Sequence, residues 1–296
     1  MPSLPRDQNE AGPQSLLAIL LGDYTWRLVR APVPTSVFVR LLLEFGVTEA
    51  AARVALERVS QRGLLVKQKI GRVAHFRLSP FAVGRHRERG RHIMGFGAPG
   101  KHWDGTWTLL LTSIPETQRE SRAQLRSRLL ARGFARLYDA VWARPGRAAL
   151  ESARELLRDF PGIQSTLLST TMEASTGGSD PLAAFDLVTP ARAYAAFIRQ
   201  QGPTLRRALK GPCSAAQALV LRTRLMDAWR AVIKLDPDLP DDLLPRDFLR
   251  QQARAIFIQA YDALGPLAEQ RLHQIVQEHR PDIASQLHHH RSEDML

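Results

Sequence analysis

The 296-residue sequence predicts an α+β protein built from an N-terminal winged helix-turn-helix, a middle ferredoxin-like α/β domain and a C-terminal helical domain. Three observations carry this. Residues 35–79 hold two apolar helical stretches broken by glycine and followed by two strand-like runs. Residues 106–173 alternate between strand and helix signals. Beyond Pro181, apolar residues recur mainly at the three-to-four spacing of helices.

The first segment is the most specific. Val37, Leu41, Leu42 and Phe45 mark a helix over Thr35–Phe45, and Gly46 follows where a left-handed turn stops it. Thr48 then caps a second helix whose first turn carries Glu49. Ala52, Ala55, Leu56 and Val59 form its apolar stripe, leaving Arg53, Glu57 and Ser60 opposite. Gly63 ends it, and Leu64–Lys69 and Val73–Leu78 read as strands around Ile70-Gly71-Arg72. Two helices at a short turn suit the major groove of DNA. Arg53 is the expected base reader. Thr48 at the helix start completes that face, Arg58 and Arg62 are expected on phosphate, and Lys67, Lys69, Arg72 and His75 form a basic wing. Such units also serve purely structural or protein-binding roles, and charge favours DNA. The net charge is +12, and residues 1–100 hold 15 Lys and Arg against 7 Asp and Glu. A basic excess gathered in one third of the chain is what phosphate neutralisation requires.

The remaining composition is that of an ordinary globular protein, 44% apolar and 24% charged, long enough for two or three domains. The single cysteine, Cys213, allows no intrachain disulfide and suits a reducing compartment. No stretch of about 18 apolar residues occurs, and no secretory leader is expected. A cytoplasmic protein that does not enter the membrane is expected.

Along the chain, residues 1–13 are expected to be a flexible arm, 14–84 the winged domain, 85–102 a basic Gly-rich linker, 103–176 the α/β domain, 177–284 the helical domain and 285–296 a disordered tail. Ser15 is expected to cap a first helix that runs to about Tyr24. In the α/β domain, strands are expected at Thr106–Ser113, Ala135–Ala143 and Gln164–Glu173, with helices at Glu120–Arg132 and Leu150–Phe160. A split of the middle strand near Asp139 or Pro145 would complete a βαββαβ order. The later helices are expected at Arg192–Gln201, Ala215–Lys234, Pro245–Leu264 and Pro266–His279.

Several motifs suggest chemistry that their context does not support. Gly95-Phe96-Gly97-Ala98-Pro99-Gly100-Lys101 has the glycine spacing of a phosphate-binding loop. A basic run precedes it instead of a strand, and His102 stands where Ser or Thr would hold magnesium. His288-His289-His290 lacks the i, i+4 spacing of a helical metal site. Asp236, Asp238, Asp241 and Asp242 lie in a Pro-rich turn, where Asp commonly caps backbone. The expectation is a protein that is not an enzyme, with no cofactor and no metal.

An ordered set of short motifs resembles the PaaX-type transcriptional repressors of phenylacetic acid catabolism. It begins with Ser15-Leu16-Leu17, Leu21-Gly22-Asp23-Tyr24 and Phe45-Gly46-Val47. It continues through Arg53…Leu56-Glu57-Arg58-Val59…Arg62-Gly63-Leu64-Leu65, Gly71-Arg72…Phe76-Arg77-Leu78-Ser79-Pro80 and Trp103-Asp104-Gly105-Thr106-Trp107. It ends with Leu221-Arg222-Thr223-Arg224-Leu225, Asp236-Pro237, Leu239-Pro240 and Leu243-Leu244-Pro245. The resemblance covers residues 15–275. It implies a homodimeric repressor that binds double-stranded operator DNA and is displaced by an aryl-acyl-CoA effector, typically phenylacetyl-CoA. Trp103, Trp107, Trp142, Trp229 and Tyr194 are then candidates for an aryl pocket, chiefly Trp107 and Trp142. Arg222 and Arg224 are candidates for its anions, although they fall on different helix faces. Ala50–Ala52 are smaller than the family pattern has there, which leaves operator specificity open. The middle domain also resembles the small fold of the Cas2 nucleases, but Thr112-Ser113-Ile114-Pro115 supplies no Asp after the first strand. Besides that metal-dependent nuclease, a ligand-independent nucleic-acid adaptor stands as the alternative.

Overall fold

The computed structural model describes residues 12–25, 31–172 and 180–295. Most of the expected N-terminal arm and the Gly-rich break after Glu173 lie outside them. The chain divides into two compact units. One comprises the described parts of 1–96, 196–231 and 252–296; the other comprises those of 97–195 and 232–251.

The first unit opens with α1 (Pro13–Leu20), continued by one π turn over Leu21–Thr25. Gly12 is its N-cap and Pro13 its first residue, so Ser15 does not cap it. The Ser15 hydroxyl instead donates to Asp227 Oδ1 at 2.8 Å. Next come β1 (Val33–Pro34), α2 (Thr35–Leu43), α3 (Glu49–Gln61), β2 (Leu65–Ile70) and β3 (Val73–Leu78). The expected capping is present: Thr48 Oγ1 accepts from the Ala51 amide at 3.3 Å. Gly46 and Gly63 have φ of 74° and 72°, the left-handed conformations that end α2 and α3. β1 was not foreseen. It adds to β3 through Val33 opposite Phe76, giving the sheet order β1-β3-β2, all antiparallel. Two helices followed by an antiparallel hairpin is the element order expected of a winged helix-turn-helix.

Two expectations for this unit fail. Residues 85–95, expected in a linker, belong to α4 (Pro80–Gly95). Ser79 caps that helix by accepting from the Ala82 amide, and Ala82, Gly90 and Met94 form a buried edge that the basic run obscures. The tail expected to be disordered is packed. Leu287, His290, Ser292 and Met295 are buried. Glu269 accepts from the His289 amide and meets its ring, and Asp262 receives both Ser292 N and Oγ. Polar composition suggested solvent, but internal carboxylates supply the partners.

In the second unit, β4 (Trp107–Ser113), α5 (Arg119–Leu130), β5 (Ala135–Tyr138), β6 (Val141–Pro145), α6 (Ala149–Leu157) and β7 (Gln164–Thr170) follow the βαββαβ order. The middle strand splits at Asp139-Ala140. The sheet is antiparallel in the order β5-β6-β4-β7, so each βαβ crossover leaves room for one antiparallel strand, as in ferredoxin-like folds. Leu110, Leu125, Leu129, Trp142, Ala153 and Leu156 fill the core between its helices and sheet.

The C-terminal chain is helical: α7 (Val188–Lys210), α8 (Ala215–Ile233), α9 (Arg250–Gln277) and the short α10 (Pro281–Ala284). The expected break between Leu264 and Pro266 is absent. α9 runs through Pro266 because Leu264, Ala268, Leu272 and Ile275 are all buried on the first unit's core. That burial outweighs the lost backbone hydrogen bond, which costs about 3 kcal/mol.

Candidate DNA interface

α3 is held by its buried stripe of Ala52, Ala55, Leu56 and Val59. With 100° between successive residues, the centre of the opposite face falls on Ala50, Val54, Glu57 and Gln61, all exposed. Arg53 flanks it on one side and Arg58 on the other. Sequence reasoning named Arg53 and Arg58 but missed Val54 and Gln61. A helical projection anchored on the buried stripe would have placed them.

Arg53 is exposed and pairs with Glu49 Oε1 at 2.6 Å, one turn away. Such a solvated pair contributes little, so the guanidinium can exchange partner. Ser60 does not face outward: its hydroxyl donates to Leu65 O at 3.2 Å and joins α3 to the hairpin. Thr48 is exposed, with its oxygen engaged in capping. Arg58 and Arg62 are both exposed and one turn apart.

The hairpin is short, and Gly71 turns it at φ 59°. Lys69 and Arg72 are exposed, together with apolar Ile70 and Val73 at its tip. Lys67 is exposed and ion-paired with Glu57 Oε2 at 2.9 Å, which ties the wing to α3. His75 corrects the sequence reading. It is 9% exposed, with Nδ1 3.2 Å from Val73 O, because β3 is the central strand, flanked here by Pro34 of β1 and Gln68 of β2. A side chain so placed cannot reach a phosphate.

The effector candidates do not form one site. Leu110 pairs with Trp142 across β4 and β6, so both point to the helix-covered face. Trp107, an odd number of residues from Leu110, points to the other face and packs on Phe185 and Trp103. Trp107 and Trp142 are therefore on opposite sides of one sheet and cannot line a common pocket. Trp229 is fully buried in the first unit, stacked on Phe257 with ring centroids 5.0 Å apart. Tyr194 is buried in the second unit and donates to Asp236.

Arg222 is fully buried too. It donates to Tyr261 O at 3.0 Å and to His290 O at 2.5 Å, lies 3.5 Å from Asp23 Oδ2 and stacks on the Tyr261 ring at 3.7 Å. Burial opposes its charge, and Tyr24, Tyr261 and Asp23 more than offset this and raise its pKa. Burial pushes the Tyr24 hydroxyl up to about 12 and raises the Asp23 carboxyl against the pull of Arg222. Arg222 is an internal anchor and not a ligand arginine. Arg224, two residues on, is exposed.

The phosphate-loop spacing at 95–101 is not used as one. Lys101 donates to Asp238 O and pairs with its carboxylate at 2.6 Å. No helix among the described residues is long and apolar enough to cross a membrane.

Family models match the chain in three consecutive stretches. Residues 12–81 match the PaaX-like protein model, 100–182 the PaaX protein central Cas2-like domain and 185–274 the PaaX-like protein C-terminal domain. The chain belongs to the PaaX family. The transcriptional repressor PaaX of Escherichia coli (strain K12) is 27% identical over 242 residues, covering 77% of this chain and 73% of that protein. Among solved structures, an uncharacterized protein from Mycobacterium tuberculosis aligns with a TM-score of 0.54 at 23% identity, covering 90% of this chain and 98% of that one. That likeness concerns the fold. In this chain the α2–α3 pair and its hairpin lie in the first matched stretch and the four-stranded sheet in the Cas2-like one.

Proposed function

We propose that this PaaX-family chain is a transcriptional repressor that binds operator DNA through α3 and the wing. The observation that carries the reading is an exposed, positively flanked α3 on a rigid winged scaffold, in a chain related over most of its length to a named repressor. Ala50, Val54 and Gln61 face the bases, with Arg53 beside them and the Glu57 carboxylate on the same face held by Lys67. Gln amides and Arg guanidiniums form bidentate contacts to base edges, and Val offers methyl contact to thymine. Arg58, Lys69 and Arg72 supply the phosphate contacts that set register. One helix-turn-helix per chain reads a half-site, so the active form is a homodimer on a near-palindromic site. The protein acts in the cytoplasm.

The reading extends to an effector. An aryl-acyl-CoA such as phenylacetyl-CoA lowers operator affinity, and the controlled genes serve aromatic-acid breakdown. A ligand releases DNA only through its differential affinity for the two states, and a coupling of about 1–3 kcal/mol reduces occupancy several-fold. The test is selection of bound fragments from random and genomic DNA with the full chain. A single enriched inverted repeat is expected, and retention of DNA without sequence preference would refute the repressor reading. Operator complexes are then titrated at one salt concentration with phenylacetyl-CoA, acetyl-CoA and phenylacetate. Complexes that survive all three refute the effector assignment and leave DNA recognition intact.

A further inference from the structure

A cavity of about 320 Å³ lies behind α3 within the first unit, at the lower end of the size range of small-ligand sites. Its floor is apolar: Leu64, Leu78, Ile93, Met94, Met226 and Met295 line it. Arg62, Arg85, Arg89 and Arg230 stand at its edge, drawn from the C-cap of α3, from α4 and from α8. None of these four makes an ion pair with a carboxylate among the described residues. Arg85 lies over the Phe81 ring at 5.3 Å, and Phe81 also lines the cavity. Burial and then the charges of Arg85 and Arg230 lower the pKa of Arg89, so these cations crowd one another at the rim. The two other ionisable groups at the wall are Asp23 and His86. Asp23 is already engaged by Arg222, 3.5 Å from its Oδ2, and burial lowers the pKa of His86, so neither supplies the rim with a dedicated partner.

An apolar hollow edged by unneutralised guanidiniums has a defined complement. We propose that this cavity is a binding site for an amphipathic organic anion, with a small aryl or acyl body on the methionine-lined floor and the anion on Arg85, Arg89 and Arg230. Two sources share this chemistry: a free carboxylic acid, whose carboxylate meets the rim, and its coenzyme A thioester, whose phosphates do. The cavity has room for the acyl body and not for a whole coenzyme A, which would extend outward along the arginines. Val59 of α3 and Arg62, its C-cap, line the same cavity. Occupancy is therefore felt on the rear of the DNA-facing helix.

Calorimetry on the full chain without DNA uses phenylacetate, phenylacetyl-CoA and coenzyme A alone. Binding of at least one of the first two is expected. The exposed double substitution Arg85→Glu/Arg89→Glu should weaken it about tenfold or more, the scale of losing a charge-assisted contact. Ile93→Trp, which fills the hollow from a half-buried position on α4, should weaken it while the thermal transition stays in place. Binding of the acid assigns the anion to a carboxylate, and binding of the thioester alone assigns it to phosphates. Equal binding of coenzyme A would overturn the proposal, since the floor would then be unused. Unchanged affinity in both variants, or no binding of any probe, would overturn it too. The consequence for DNA rests on the repressor reading. A ligand that fills the cavity and leaves operator bound would end the release step of that reading and leave this site standing.

Discussion

Arg250 grips Asp236 through two parallel bonds, Nη2 to Oδ1 at 2.7 Å and Nε to Oδ2 at 2.8 Å, in a pair that solvent barely reaches. Tyr194 donates to the same carboxylate at 2.6 Å, and Arg250 also donates to Leu239 O at 2.8 Å. One carboxylate thus joins the start of α7, the Pro-rich loop and the start of α9. Asp236→Asn keeps the shape but removes the counter-charge. The expected loss is about 3–5 kcal/mol, the cost of stranding a buried charge. Tyr194→Phe should cost less, about 1–3 kcal/mol, since the ion pair survives. Thermal unfolding of the two variants checks the order, and equal transitions would show that the pair is not structural.

Arg53 carries the second prediction. Its only ion-pair partner within 4 Å among the described residues is the exposed Glu49. Arg53→Ala should cost little stability but reduce discrimination between operator and random DNA by about 1–3 kcal/mol, the loss of one base contact. Gln61→Ala tests the centre of the face in the same assay and should relax specificity at one operator position. An unchanged specificity ratio in Arg53→Ala removes it from base reading.

The wing gives a third. Lys69 and Arg72 are exposed, whereas Lys67 is already paired with Glu57. Lys69→Ala and Arg72→Ala should weaken operator and random DNA equally and flatten the salt dependence by roughly one unit per lost phosphate contact. Lys67→Ala should change the slope less. A loss confined to operator DNA would mean that the wing tip reads bases. His75→Ala should leave the salt slope unchanged, because the side chain is buried.

What could be read from sequence was what local chemistry decides. Gly46, Thr48, Gly63 and Gly71 each impose a backbone conformation on their own neighbours, so α2, α3 and the hairpin were legible. The βαββαβ order was legible too, because strand and helix periods differ. The helix over Pro80–Gly95 was not, since its buried edge is three small or flexible residues among arginines. The packed tail depends on Glu269 and Asp262, 20 and 30 residues away from His289 and Ser292. Arg222 shows the same limit most clearly. Its partners Asp23, Tyr261 and His290 come from three distant segments, and an arginine in a helical run ordinarily faces water. The failure of the Trp107 and Trp142 pairing has another cause. Both strands were found, and only the register across β4 and β6 decides which face each ring takes.

His86 sets the final prediction, on pH. Its ring sits against Gly22 so closely that a Cβ there would stand 2.0 Å from Cε1, a fit that only glycine allows. Burial lowers its pKa from 6.5, against the opposing pull of Asp23 and a hydrogen bond to the Gly22 backbone, with Arg230 and Arg89 adding to the depression. Above pH 6.5 the imidazole is neutral in both folded and unfolded chains. As pH falls through 6.5, the unfolded chain takes up a proton that the folded chain refuses. The folded state therefore loses stability progressively down to the depressed folded pKa, and no further from this group below it. Asp23, whose carboxyl pKa burial raises, works in the opposite sense where it titrates, since the folded chain takes up that proton more readily than the unfolded one. His86→Gln retains a donor for Gly22 and cannot titrate. The stability of this variant should fall less than that of the parent between pH 6.5 and 5, as read from urea midpoints at each pH. Parallel curves would show that another group governs the acid limb.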